Sequence, residues 1–471
     1  MEVIDMRVGI WLRRLSVGAI AGLGLALLPA AASAGGVSTF TGTTTESSGL
    51  VAPYKIEVPS PWNGTLVLYS HGYSFSSHTA ADVGDPVTGA WLLGHGYALA
   101  GSGYATSGWA LQQAFQDQIA VLDKFDTLGF GHPSRTIAWG HSLGGMITAG
   151  LIQLFPDRFT AALPMCGVVA GGPGVWNQGL DSEFALQTLM PTPGSKLVNF
   201  TSFTDAAINF NVASSALAAA QQTPQGRARI ALSAALADLP GWFDPASPEP
   251  APTDFPTQEQ NQFLWDTNVD FFFAYFGRFE LERRAGGNFS WNTGVDYRAQ
   301  LANSADLAEV QGLYAAAGLD LNKDLDTLNS AARISADPAA LDYLTRFIVF
   351  NGDNQIPVLT MHTTGDGLVD VTDESAYASV VSSQGDSSNL RQVFVHRAGH
   401  CTFTPAETIS AFQTLINRLD TDSWSGTNPG AMNARAASLG PLFNIAPPSF
   451  ITFHPAPFLR PFDIRDVENA G

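Results

Sequence analysis

The stretch TIAWGHSLGGMITAGLIQLF, residues 136–155, decides the fold. Thr136–Trp139 is a short apolar run that predicts a buried strand, and Met146–Phe155 predicts a helix that Pro156 ends. Between them stands G-x-S-x-G, Gly140 to Gly144. A strand that turns into a helix over so few residues needs a tight turn, and the two glycines remove Cβ atoms that would strike the neighbouring backbone. Ser142 is then held in a strained turn with its hydroxyl above the sheet. The first amides of the following helix aim at the same point, and Gly145 adds room.

Outward from this turn the pattern repeats. Tyr54–Val58 and Thr65–Tyr69 read as strands, separated by the turn formers Pro59, Pro61, Asn63 and Gly64. Tyr97–Gly101 is a further apolar run, and Ala161–Cys166 is the strand after the Ser142 helix. Leu111, Phe115, Ile119, Leu122 and Phe125 share one face and predict a helix over Leu111–Phe125. Such alternation implies an α/β domain, with a mostly parallel central sheet flanked by helices. It stops at residue 171. Residues 171–340 read as mainly helical, with Ala-rich stretches at Ala213–Ala220 and Ile230–Ala237 and a Pro-rich segment at Pro240–Pro256. We read this span as a cap inserted into the sheet domain. Alternation resumes with strands at Pro357–His362 and Arg391–His396 and helices at Asp373–Ser382 and Pro405–Leu419. The expected organisation is a core over 35–170 and 341–420, a cap over 171–340, and an extension over 421–471 packed on the core.

The first 34 residues predict an export signal. Arg7, Arg13 and Arg14 precede the apolar run Leu15–Leu28, and Ala32-Ser33-Ala34 supplies the cleavage site. The run falls short of the ~20 residues needed to span a bilayer. The mature chain is therefore expected to be secreted, with no stable membrane anchor after signal cleavage. Arg13-Arg14 also permits twin-arginine export. Lys and Arg number 23 against 42 Asp and Glu, a net charge of −19. Nucleic acid is not an expected partner, because a phosphate backbone demands clustered cations. With two cysteines, one bridge is the maximum.

A serine hydroxyl is a weak nucleophile until a base takes its proton, and imidazole titrates in the right range. Of nine histidines, His400 lies just past the strand Arg391–His396, where parallel sheets carry their chemistry. His396 is still within that strand. The partner carboxylate belongs on the loop after the preceding strand, where Asp366 comes first; Asp370 and Asp373 are runners-up. Asp366 would orient His400 and remain ionised. Ser70-His71-Gly72-Tyr73 follows an early strand, and the Tyr73 and Leu143 amides are the expected oxyanion donors.

Ser142 in G-x-S-x-G, Asp366 in G-D-x-x-V, His400 in G-H-C and His71-Gly72 after an early strand resemble the α/β-hydrolase superfamily. More narrowly, the chain resembles secreted actinobacterial serine esterases with a large cap. The resemblance covers roughly residues 54–170 and 350–420. It implies a carboxylic-ester hydrolase working through an acyl-enzyme, with Ser142, Asp366 and His400 as the triad and no cofactor or metal. Asp370 departs from the pattern, since many relatives have Pro after the Val. The substrate class is a small or polymeric ester. A serine exopeptidase on the same fold, and a polyester depolymerase or lipase, are the alternatives. Against the exopeptidase, G-G-P-G stands at 171–174 and not after the early strand, so we read it as the hinge into the cap.

Three further features stand out in the sequence. Asp320, Asn322, Asp324 and Asp326 are spaced like the start of a calcium loop, but Leu325 and Ala331 stand where Gly and Glu are needed. An aromatic cluster, Phe263 to Phe279, reads as cap core that also lends the site some apolar lining. Cys166 and Cys401 belong to the same carboxyl edge and are expected to pair. If one strand intervenes, a bridge requires the loops to curl inward; two buried free thiols are the other arrangement.

Overall fold

The computed structural model describes residues 36–46, 48–76, 84–190, 192, 194–457 and 460–469. The expected export signal and His78 lie outside them. The sheet is organised around strands that are buried on both faces, which is why they read as unbroken apolar runs rather than as alternating ones. The strands of the sheet are β1 (Val37–Thr45), β2 (Val51–Pro59), β3 (Thr65–Ser70), β4 (Ala98–Ser102), β5 (Arg135–His141), β6 (Ala161–Met165), β7 (Val358–Gly365), β8 (Leu390–Ala398) and β9 (Phe450–Ile451), of which β3, β4, β6 and β7 are the buried ones. Their spatial order is β1-β2-β4-β3-β5-β6-β7-β8-β9. From β4 to β8 the pairing is parallel, while β1, β2 and β9 add antiparallel edges. This is the expected α/β-hydrolase fold.

Helices α1 (Pro86–Gly94), α2 (Leu111–Asp126) and α3 (Leu143–Leu154) connect the first strands. Helix α1 and strand β1 were not legible as elements: α1 has little amphipathic contrast, and β1 is mostly exposed. Between β6 and β7 the chain makes a long, mainly helical insertion. It contains α4 (Gly172–Leu189), α5 (Phe203–Ala220), α6 (Pro224–Ala235), α7 (Phe255–Trp265), α8 (Arg278–Ala285), α9 (Tyr297–Asn303), α10 (Leu307–Ala317), α11 (Leu321–Ser330) and α12 (Pro338–Arg346). Two π-helical turns, Asp266–Asp270 and Phe273–Gly277, join α7 to α8. Asp320 caps α11 by accepting from the Asn322 and Lys323 amides, and Asp324 pairs with Arg229 at 2.8 Å. That span is thus the start of a helix.

After β7 come α13 (Asp373–Gln384), β8 and α14 (Pro405–Thr421). Helix α14 opens with a full capping box, Thr404 with Glu407, and Glu407 also pairs with Arg397. Beyond α14, α15 (Pro429–Ser438) packs on it, β9 pairs with β8, and the Phe462 amide donates to Ala170 O. No helix among the described residues is long and apolar enough to cross a membrane.

A disulfide joins Cys166 to Cys401, with Cα atoms 5.5 Å apart. Strand β7 does intervene between β6 and β8, so the bridge depends on both chains curling at their ends. Cys166 (φ 42°) and Cys401 (φ 55°) are both left-handed, and the Cys166 amide donates to Met361 O on β7 at 2.8 Å. The loop that the bridge closes spans 235 residues. Replacing both cysteines by alanine should therefore lower unfolding free energy by up to about 5 kcal/mol on the chain-entropy account. Denaturant titration of the two proteins measures it, and equal midpoints would show that the bridge stabilises nothing.

Candidate functional site

The turn at Ser142 is as tight as the motif demands. Ser142 has φ 60° and ψ −128°, and its amide donates to Met165 O at 3.0 Å. A Cβ on Gly144 would lie 2.0 Å from Ser70 O, so only glycine lets α3 begin this close to the end of β3. On the other side, a Cβ on Gly72 would come within 3.2 Å of Ser142 Cβ. The loop His71–Tyr73 therefore lies against the serine. His71 stacks on Tyr104 and its Nδ1 is 2.8 Å from Gly72 O, so it shapes this loop. Among the described residues neither the Tyr73 nor the Leu143 amide has an intramolecular acceptor.

His400 Nδ1 lies 2.7 Å from Asp366 Oδ2. The other Asp366 oxygen accepts from the Leu368 and Val369 amides at 3.0 and 3.1 Å. Asp370 instead accepts from the Thr372 amide at 2.7 Å, and Asp373 from the Ala170 amide at 3.3 Å. Of the three candidate carboxylates, Asp366 is the one on His400. Nε2 of His400 lies 3.4 Å from Cys401 Sγ. The Ser142 hydroxyl makes no hydrogen bond to it among the described residues. His400 is nonetheless close to the serine's neighbour: burial, and then the charge of His400, push His141 down to about 3. His141 is therefore neutral at ordinary pH.

Behind Asp366 stands a group that the sequence reading left inside a strand. His362 is fully buried, 3.6 Å from Asp366 Oδ2 and 3.2 Å from Glu374 Oε1, with Nε2 2.9 Å from Val369 O. Burial alone would lower its pKa; the hydrogen bond and charge of Glu374, then the charge of Asp366, raise it to about 9. A buried imidazole with a raised pKa thus lies near the same Asp366 oxygen that holds His400. A polar residue within a buried strand requires such a partner, and that requirement was the available signal.

The insertion contributes the rest. Glu280 on α8 accepts from the Tyr73 hydroxyl at 3.2 Å and from the Trp109 amide at 3.0 Å, and Arg284 pairs with it. Burial and then Glu280 raise the Tyr73 phenol well above its ordinary value. Phe273 packs edge-on against Tyr73, with ring centroids 5.4 Å apart. A cleft opens between Ser142, Leu143 and Tyr73 on one side and Trp176, Asp266 and Phe273 on the other. Most of the aromatic cluster is core, with Trp265, Phe271 and Tyr275 buried, while Phe273 faces the cleft.

Residues 87–171 match the prolyl oligopeptidase family. Over 412 residues the chain is 31% identical to the o-phthalyl amidase of Xanthobacter agilis, which covers 81% of this chain and 88% of that one. Among solved structures, a rice cell wall degrading esterase of Xanthomonas oryzae is 14% identical, with TM-score 0.37, covering 82% of this chain and 90% of its own. A bacterial brefeldin A esterase is 12% identical, with TM-score 0.39, covering 93% and 85%.

The buried acids make a prediction about pH. Burial raises Asp373 to about 7, and burial with a neighbouring acid raises Asp266 to about 8 and Glu309 to about 9. Each holds a proton in the folded state that it would release when unfolded, as does His362. Their stabilisation is complete below the unfolded values and is lost as pH rises through the folded ones. The thermal midpoint should fall as pH rises from ~4, where the unfolded carboxyls ionise, to ~9. Calorimetry across that window checks it; a flat or rising midpoint would contradict the assignment.

Proposed function

We propose, from the premise that this chain belongs to the α/β-hydrolase superfamily and to one family with the Xanthobacter amidase, that it is a secreted enzyme cleaving carboxylic esters through an acyl-enzyme on Ser142. That it is a serine hydrolase follows from the family; the ester, the residues and the export are our reading. One observation carries it. Ser142 occupies a left-handed turn against Gly72, and the His400–Asp366 pair is tied by Cys401 to the residue after Met165, whose carbonyl accepts the Ser142 amide.

In this reading His400 Nε2 takes the Ser142 proton as Oγ attacks the carbonyl carbon. The Tyr73 and Leu143 amides receive the oxyanion, a contribution of ~3 kcal/mol for each such donor. His400 then gives its proton to the leaving oxygen, and water repeats the sequence to free the acid. Asp366 fixes the ring by Nδ1, and its own orientation is held by two amides and by His362. The insertion acts as a cap whose aromatic face accepts the apolar part of the substrate. No metal is needed, because the oxyanion donors replace the Lewis acid.

Amide cleavage is the second reading, and the amidase name of the 31% identical relative favours it. An ester and an anilide of one acyl group separate the two. We expect hydrolysis of the ester to exceed that of the anilide; the reverse order would make the amide reading primary.

Two substitutions test the residues. Ser142→Ala should abolish ester hydrolysis with an unchanged melting curve. Asp366→Asn should lower kcat by roughly a thousandfold or more, and Asp370→Asn far less. A reversed rank would transfer the role to Asp370, and residual turnover by Ser142→Ala above a trace would remove the nucleophile assignment.

A further inference from the structure

We propose that the cleft beside Ser142 contains a cation subsite, formed by Glu183, Asp266 and Asp270, which takes a protonated amine or amidinium on one arm of the substrate. All three carboxyls line the cleft that Ser142 and Tyr73 also line. Asp266 is 1% exposed, and its Oδ2 has no hydrogen-bond partner. Asp270 Oδ2 is likewise buried without a partner. A carboxyl in that condition is costly to keep, and proteins keep such groups where a ligand completes them.

The local backbone explains how they come to share one face. A regular α-helix places residues three and four apart side by side. Asp266, Asp270 and Phe273 stand at that spacing, and all three reach the cleft. The π-helical turns Asp266–Asp270 and Phe273–Gly277 lie in the same segment. π-turns of this kind are frequent at functional sites.

The charge inventory selects the ligand. Arg278 is the cation of this cleft, and it is engaged elsewhere. It donates to Ser290 Oγ and to Trp176 O, each at 3.1 Å, and lies over the rings of Trp176 and Phe289. Its charge acts on Glu183, which also accepts from the Tyr275 hydroxyl. The charges acting on Asp266 and Asp270 are other acids: Glu259 on Asp266, and Asp266, Glu183 and Asp366 on Asp270. Burial first, and these neighbours second, hold both groups above the usual carboxylate range. An arriving ammonium favours the ionised form of these carboxyls, and a proton that one of them holds leaves to solvent as the cation binds. A neutral arm gains none of this attraction, and an anionic arm meets carboxyls. Trp109 and Phe273 line the same cleft as these acids.

Only the statement that the bound cation is a substrate arm rests on the acyl-enzyme reading. The test therefore measures binding without chemistry. Ser142→Ala protein is titrated with benzylammonium, benzyl alcohol and benzoate, following the fluorescence of the cleft tryptophans. Benzylammonium should bind roughly tenfold or more tighter than the alcohol, with benzoate weakest. Adding Asp266→Asn or Asp270→Asn should remove most of that preference. Equal or tighter binding of the alcohol overturns the subsite, and so does a preference that survives in both Asn variants with native melting curves. Should neither Asn variant fold, the comparison of the three probes on Ser142→Ala protein decides alone. Ester turnover by the unsubstituted enzyme is assayed separately, so failure of the hydrolase reading and failure of the cation subsite are distinguishable.

Discussion

The contact between the end of β3 and the first turn of α3 is the constraint on which the rest depends. The Ser70 carbonyl occupies the space that a side chain on residue 144 would need. That approach is possible because β3 and β5 are neighbours in a parallel sheet. It forces Ser142 into the left-handed region, and it sets the His71–Tyr73 loop against the serine. Two amides without intramolecular acceptors then border one hydroxyl. On the proposed mechanism these amides are the oxyanion donors, and they would need no reorganisation when charge develops.

The second half of the site is delivered from 220 to 260 residues later in the chain, and it is secured differently. Strands β7 and β8 bring Asp366 and His400 to the same carboxyl edge. Three restraints then fix the pair: the two amides on Asp366, the buried His362–Glu374 couple behind it, and the disulfide at Cys401. The left-handed backbone at Ser142, Cys166 and Cys401 is the local cost of converging three strand ends on one point.

The core of this arrangement was legible in the sequence because it depends on short-range chemistry. The strand–turn–helix at Ser142 announces itself by glycine spacing and apolar runs. Asp366 and His400 announce themselves by following strands. Edge strand β1 did not, since its mostly exposed side chains carry no burial pattern. The partner Glu374 of His362 could not be read either, because it reaches the imidazole only through the packing of α13 on the sheet. The π-turns Asp266–Asp270 and Phe273–Gly277 have no signature in the residue spacing; the fold places Asp266, Asp270 and Phe273 in the cleft and Trp265, Phe271 and Tyr275 in the core.

The insertion and the sheet are knit at the loops that matter. Glu280 accepts from the Tyr73 hydroxyl, and Trp265 packs so closely on Gly367 that a Cβ there would lie 2.4 Å from the indole. The cleft is thus built from both parts, and its acids come from the insertion alone. The account stands on Ser142 being the nucleophile. Mass spectrometry of the protein after treatment with a serine-reactive organophosphonate tests this most directly. One adduct on the peptide carrying Ser142, with loss of ester hydrolysis in proportion, is the predicted result. Full inactivation with the adduct on another residue, or no adduct in an active enzyme, would contradict it.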